Sequence, residues 1–162
     1  MFAATNAAAT LKKYGSQRDI EVHVYESTAK LMSKVLISGG GRCNVLHDTT
    51  EPLQKILNSY PRGSRELNGL FSKHFTPHDA RDWFVERGVV LKTESDGRMF
   101  PITDSSQTIA DCIYDDAMKN GVIVRKGHRV VKIDVHCSEA DENDSTHVFD
   151  VITQNQEDVG HN

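Results

Sequence analysis

Seven consecutive residues, Ser38-Gly39-Gly40-Gly41-Arg42-Cys43-Asn44, concentrate what ligand chemistry needs. Successive glycines admit backbone conformations closed to other residues and let N–H groups approach a ligand closely. Arg42 adds a planar cation suited to phosphate or to an electron-rich ring edge. Asn44 offers both donor and acceptor groups. The run is not a phosphate loop of the GxxxxGK[ST] type. Taken alone, these letters slightly favour the plainer reading, a flexible turn with a charged tip.

A second constellation lies upstream: a helix rich in small residues, a strand, and Glu26 at the strand's end. In a dinucleotide-binding βαβ unit, glycines in the first turn let a pyrophosphate reach a helix N-terminus. An acid about 20 residues on then accepts hydrogen bonds from the adenosine ribose. Glu26 stands in the right relation to helix and strand for that role, but the sequence contains no GxGxxG turn. An acid after a strand is more often an ordinary strand-end residue.

Other residues invite a chemical reading and support it less. Cys43 follows Arg42, which could lower a thiol pKa. With Cys112 and Cys137 far away in sequence there is no CxxC pair, so a small packing residue is expected and neither a disulfide framework nor a zinc knuckle. His74 and His78 have the spacing of a helical metal pair, yet Thr76-Pro77 puts a helix boundary between them, and no metal site is expected. Asp96-Gly97-Arg98 reads equally as a site element or as a turn before a strand. Trp83 and Phe84 read as core, and Asp115-Asp116 as a solvated helix face.

Elements must hold these residues in place. Met1 to Lys13 (MFAATNAAATLKK) reads as a helix that packs closely against a sheet and stops at Gly15. It is basic and free of acids, which leaves organelle targeting as the minor alternative. Ile20 to Tyr25 alternates as a strand, with Ile20, Val22 and Val24 on one face. Pro52 to Asn58 and Arg65 to His74 read as helices separated by the breaker Tyr60-Pro61-Arg62-Gly63. A further helix starts at the Thr76 cap, with Pro77 in its first position and Asp79 near the positive dipole end. Val89 to Lys92 reads as a strand. Asp104 or Ser105 caps a helix whose inner face is Ile109, Ile113 and Ala117, closed by Asn120-Gly121. Val122 to Arg125, Arg129 to His136 and Phe149 to Thr153 are strand-like, the last two joined by an acidic surface loop at Ser138 to Thr146.

Composition narrows the classes. A chain of 162 residues suits one ordinary domain. A formal charge of −4 argues against a general nucleic-acid binder. No apolar stretch approaches the roughly 20 residues that cross a bilayer. The balance favours a protein of a reducing, cytoplasmic interior.

Two stretches together carry a resemblance. Lys34-Val35-Leu36-Ile37-Ser38-Gly39-Gly40-Gly41-Arg42-Cys43-Asn44 resembles a signature of the BaiN-type, aminoacetone-oxidase-like flavoproteins. The stretch Gly88 to Glu94 with Asp96-Gly97-Arg98-Met99-Phe100-Pro101 resembles the same family in order and spacing, as does Thr103 to Cys112. These are FAD-dependent oxidoreductases with a glutathione-reductase-type fold. The resemblance implies an α/β chain, a partial FAD/NAD(P)-binding Rossmann-like domain with a helical insertion. Residues 1–50 would be a partial FAD-binding βαβ unit with the glycine loop. Residues 51–120 would be a helical, peripheral region, and 121–162 a β-hairpin region.

The resemblance also assigns residues. Glu26 would hold the FAD ribose, Lys34 would lie beside the cofactor, and Ser38, Gly39, Gly40, Gly41, Arg42, Cys43 and Asn44 would run along its ribityl, pyrophosphate or flavin face. Val130 would supply a backbone contact to adenine. No catalytic residue is identified. The family pattern begins with a strand and GxGxxG turn and continues beyond Asp158, so the sequence resembles an internal fragment, expected to bind FAD poorly and not to turn over alone. The parent activity would be hydride transfer between a small organic substrate and FAD, with NAD(P)H or oxygen as the other redox partner. The alternatives are a non-enzymatic remnant that associates through open sheet edges, and an α/β module that binds another phosphate-bearing ligand. Neither nucleic acid nor membrane is expected as a partner.

Overall fold

The computed structural model of the chain describes residues 1–15, 20–137 and 147–155. In chain order the elements are α1 (Phe2–Tyr14), β1 (His23–Glu26), α2 (Ser33–Ile37), a 3-10 turn (Ser38–Gly41), β2 (Leu46–His47), α3 (Leu53–Asn58) and α4 (Ser64–Lys73). There follow α5 (Pro77–Val85), β3 (Leu91–Thr93), β4 (Arg98–Pro101), α6 (Ser106–Lys119), β5 (Ile123–Lys126), β6 (His128–Cys137) and β7 (His147–Asn155). The chain divides into two compact units, Met1–Leu31 with Asp116–Asn162, and Met32–Asp115.

In the first unit, β1 and β5 pair in parallel, with Glu26 opposite Lys126 at their shared carboxyl end. Alanines make this arrangement: Ala8 of α1 is buried with Ala117 and Val122, and Ala4, Val22, Val24 and Val124 pack around them. Small side chains let helix and strands approach closely, while Ala keeps the helix favourable. Helix α1 ends at Gly15, whose N–H donates to the Leu11 carbonyl. Lys12 and Lys13 lie in its last turn, where the dipole favours cations, and Lys12 Nζ donates to the Lys119 carbonyl at 3.0 Å.

The strand expected from Ile20 begins only at His23. The parallel register with β5 covers four residues, and Ile20, with no strand partner among the described residues, stays half exposed while Val22 and Val24 reach the core. Strands β6 and β7 form an antiparallel hairpin with an irregularity between Val130 and Lys132. One face carries the cross-strand pairs Ile133–Val151 and Val135–Phe149, all largely exposed. Alternation places Lys132, Asp134 and Asp150 on the other. The acidic stretch 138–146 lies outside the described residues.

In the second unit, β2, β4 and β3 make an antiparallel sheet in that order. Its buried apolar residues include Leu57, Phe84, Val89, Met99, Phe100, Ile109 and Ile113, with Phe100 fully inaccessible. Helix α5 starts as its sequence demands. The Thr76 hydroxyl accepts the Asp79 N–H at 3.1 Å while the Asp79 carboxylate accepts the Thr76 N–H at 2.7 Å, a reciprocal capping box with Pro77 in the first turn. Phe84 is buried, and Trp83, partly buried, lies edge-on to it beneath the Arg87 guanidinium. For α6 the choice between Asp104 and Ser105 resolves: the Ser105 hydroxyl accepts the Gln107 N–H, and Asp104 turns to ion pairs.

Candidate functional site

In the first unit, Glu26 closes β1, so its carboxylate sits at the carboxyl end of a parallel pair, where ligands of open α/β sheets bind. The next residues fold back onto it. The Thr28 N–H donates to Oε1 at 2.8 Å and the Thr28 hydroxyl to the same oxygen at 2.9 Å, with the Ser27 hydroxyl at 3.4 Å. These donors, the Thr28 backbone first, hold the carboxyl below the usual range, so it is ionised at neutral pH. An ionised acid fixed from one side can accept from a sugar diol. Val130 stands near the start of β6, opposite Thr153 and beside the strand irregularity, with its side chain partly exposed.

The second unit holds the rest of the expected site. Lys34 is exposed on α2. From Gly39 to Gly41 the backbone stays left-handed, with φ of 55°, 68° and 87°. The turn is tied at both ends: the Cys43 N–H donates to the Ser38 carbonyl at 3.0 Å, and the Ser38 hydroxyl to the Val35 carbonyl at 2.8 Å. Gly39 could be nothing else, since a Cβ there would lie 2.8 Å from the Asn44 nitrogen and 3.2 Å from the Phe100 ring. Gly40 faces open space, with nothing within 4 Å of a Cβ built on it. The turn therefore presents bare backbone, which is what close approach of a phosphate or ring requires.

Cys43 is buried at φ 59°, which fits a packing residue. With the Asn44 amide oriented to satisfy both its groups, its nitrogen donates to the Leu46 carbonyl at 2.8 Å and the Met99 carbonyl at 3.2 Å, so Asn44 fastens the turn to the sheet. Arg42 is the most constrained of the group. Its Nη1 donates to Glu94 Oε1 at 2.5 Å and lies 3.5 Å from Asp104 Oδ1, and its plane stacks 4.0 Å from the Phe100 ring centroid. The hydrogen bond to Glu94 and the charges of Glu94 and Asp104 raise the already high Arg42 pKa further. Around it, Lys92 pairs with Asp104, and Arg98 with Asp96 and more distantly with Glu94.

Glu94, Phe100 and Asp104 are the residues that reading the sequence for chemistry passes over. Their signal was their presence in the second resembling stretch and its continuation. The described residues include no cluster of three or more His, Cys, Asp or Glu that could hold a metal ion, and none of their helices is long and apolar enough to cross a membrane.

A family model described as the HI0933-like protein Rossmann domain matches residues 1–160. The ribosomal RNA dihydrouridine synthase of Escherichia coli (strain K12) is 30% identical over 100 residues, covering 62% of this chain and 24% of that protein. The chain thus spans about a quarter of the length of this curated relative.

Proposed function

The chain belongs to the HI0933-like Rossmann-domain family of FAD-dependent oxidoreductases, and from that premise we propose that it contributes FAD-holding elements to a flavin-dependent hydride-transfer enzyme. Glu26 accepts from the adenosine ribose, the Val130 backbone contacts adenine, and the turn Ser38 to Asn44, with Lys34 beside it, runs along the phosphates or flavin. The observation that carries the reading is the left-handed run Gly39–Gly41, open above Gly40, in a chain of a flavin-binding family. When bound, the flavin supplies the two-electron chemistry, and this chain's residues bind and orient it. Because the sequence holds no GxGxxG turn, binding by the chain is expected to be weak.

Two substrate classes are proposed for the whole protein. One is a small organic molecule exchanging hydride with flavin, with NAD(P)H or oxygen as the other redox partner. The name of the E. coli relative favours a second: the uracil ring of an RNA uridine, whose C5=C6 bond takes up one hydride and one proton to become dihydrouridine. The test is anaerobic reduction of the protein–FAD mixture, using absorbance near the flavin's oxidised band. Bleaching by NAD(P)H supports the oxidoreductase reading. Subsequent recovery on adding uridine-containing RNA favours the second class, and recovery with small unsaturated molecules the first. A mixture that no nicotinamide bleaches, and whose chemically reduced flavin no acceptor restores, contradicts both.

A further inference from the structure

Arg42 is held along one side only. Both carboxylates address the same nitrogen: Nη1 donates to Glu94 at 2.5 Å and lies 3.5 Å from Asp104. The guanidinium carbon lies over the Phe100 ring, 4.0 Å from its centroid, and that ring is fully buried. Among the described residues, Nε and Nη2 have no acceptor. These two atoms form the edge of a guanidinium whose N–H bonds run parallel, the edge that grips paired oxygens bidentately. The side chain stays about one-third exposed, so the edge is not sealed off.

Glu94 and Asp104 are themselves fixed. Glu94 borders the β3–β4 turn, where its N–H donates to the Arg98 carbonyl and its carbonyl accepts the Gly97 N–H. Asp104 has a left-handed backbone at φ 52° and its Oδ2 accepts from Lys92 Nζ at 2.5 Å. The same Phe100 ring lies beneath Gly39. One buried ring thus sets the height of the glycine turn and of the cation that follows it.

We propose that Glu94, seconded by Asp104, is a positioning residue: it pins Arg42 by Nη1 across Phe100 so that the Nε–Nη2 edge is presented to a pair of acceptor atoms of the flavin nucleotide. This rests on the flavin reading above. Fixing a planar cation before the ligand arrives spares the ordering cost that a free Arg would incur on binding. The paired acceptors belong either to a phosphate or to an oxygen–nitrogen edge of the flavin ring, O2 with N1 or O4 with N5, and riboflavin, which lacks phosphate, separates the two.

The test uses the wild-type protein, Glu94→Gln, Glu94→Asp and, as a control at an exposed position, Glu86→Gln. Fluorescence titration with FAD and with riboflavin gives affinities, and NMR follows the Arg42 side-chain resonances, which the Phe100 ring current shifts in the wild type. Glu94→Gln is expected to bind FAD about tenfold more weakly and to lose the ring-current shift, with Glu94→Asp recovering part of both and Glu86→Gln unchanged. Loss for FAD alone assigns the edge to phosphate, and loss for both ligands assigns it to the ring. If Glu94→Gln keeps the ring-current shift, or binds FAD as tightly as or more tightly than the wild type, the positioning role is overturned. If the wild type binds neither ligand while Glu94→Gln loses the shift, the clamp on Arg42 stands and the flavin reading falls. Should Glu94→Gln fail to fold by circular dichroism, Glu94→Asp carries the comparison, and its full equivalence to the wild type in both measurements overturns the proposal.

Discussion

The guanidinium carbon of Arg42 lies 4.0 Å from the centre of the Phe100 ring, a ring with no accessible surface. Phe100 therefore supports the charged end of the glycine turn as well as filling the core. Phe100→Ala should cost about 3–5 kcal/mol of stability, read as a shift in the urea midpoint. Phe100→Leu should retain more stability yet still lose the stacked cation.

Gly39 and Gly40 separate conformational strain from steric clash. Both are left-handed, but only Gly39 has the Asn44 backbone and Phe100 ring against its missing Cβ. Gly40→Ala should destabilise by about 1 kcal/mol, and Gly39→Ala by clearly more because neighbouring backbone must shift. Equal urea midpoints for the two variants would count against this packing.

Much of this was legible in the letters, for identifiable reasons. The Thr76-Pro77-Asp79 start, the Ile109–Ile113–Ala117 face and the Gly15 stop follow from local chemistry, and local chemistry is what the sequence displays. The glycine turn and Glu26 were visible as residue types. Long-range pairing was not. That Arg42 is tied to Glu94 across 52 positions, and that Phe100 underlies Gly39, depends on how β4 docks, which no spacing encodes. The two-residue strand β2 carries too short a pattern to read, and Ile20 shows that alternation without a partner does not make a strand.

The cap of α5 links pH to stability. The Thr76 N–H and hydroxyl hold the Asp79 carboxyl below its ordinary range. Its contribution is complete above the ordinary carboxylate pKa and is lost as pH falls through the lowered value. Unfolding followed from about neutral pH down to about pH 2 should show a flatter acid limb for Asp79→Asn. Thr76→Ala should cost about 1 kcal/mol at neutral pH.

In the proposed reading, Glu26 accepts from the ribose of FAD. Glu26→Gln keeps the shape and removes the charge that the Thr28 donors stabilise. A hydrogen bond to a charged acceptor contributes about 1.5–3 kcal/mol, so FAD affinity should fall by roughly ten- to a hundredfold. Riboflavin, which lacks the adenosine, should bind Glu26→Gln and wild type alike.

Whether this chain holds a flavin nucleotide is decided by equilibrium titration of the purified protein with FAD. Saturable quenching of flavin fluorescence is expected, with a dissociation constant in the micromolar range that Glu26→Gln weakens. Fluorescence that stays linear in added FAD at every protein concentration, or a saturable signal that Glu26→Gln leaves untouched, would contradict it.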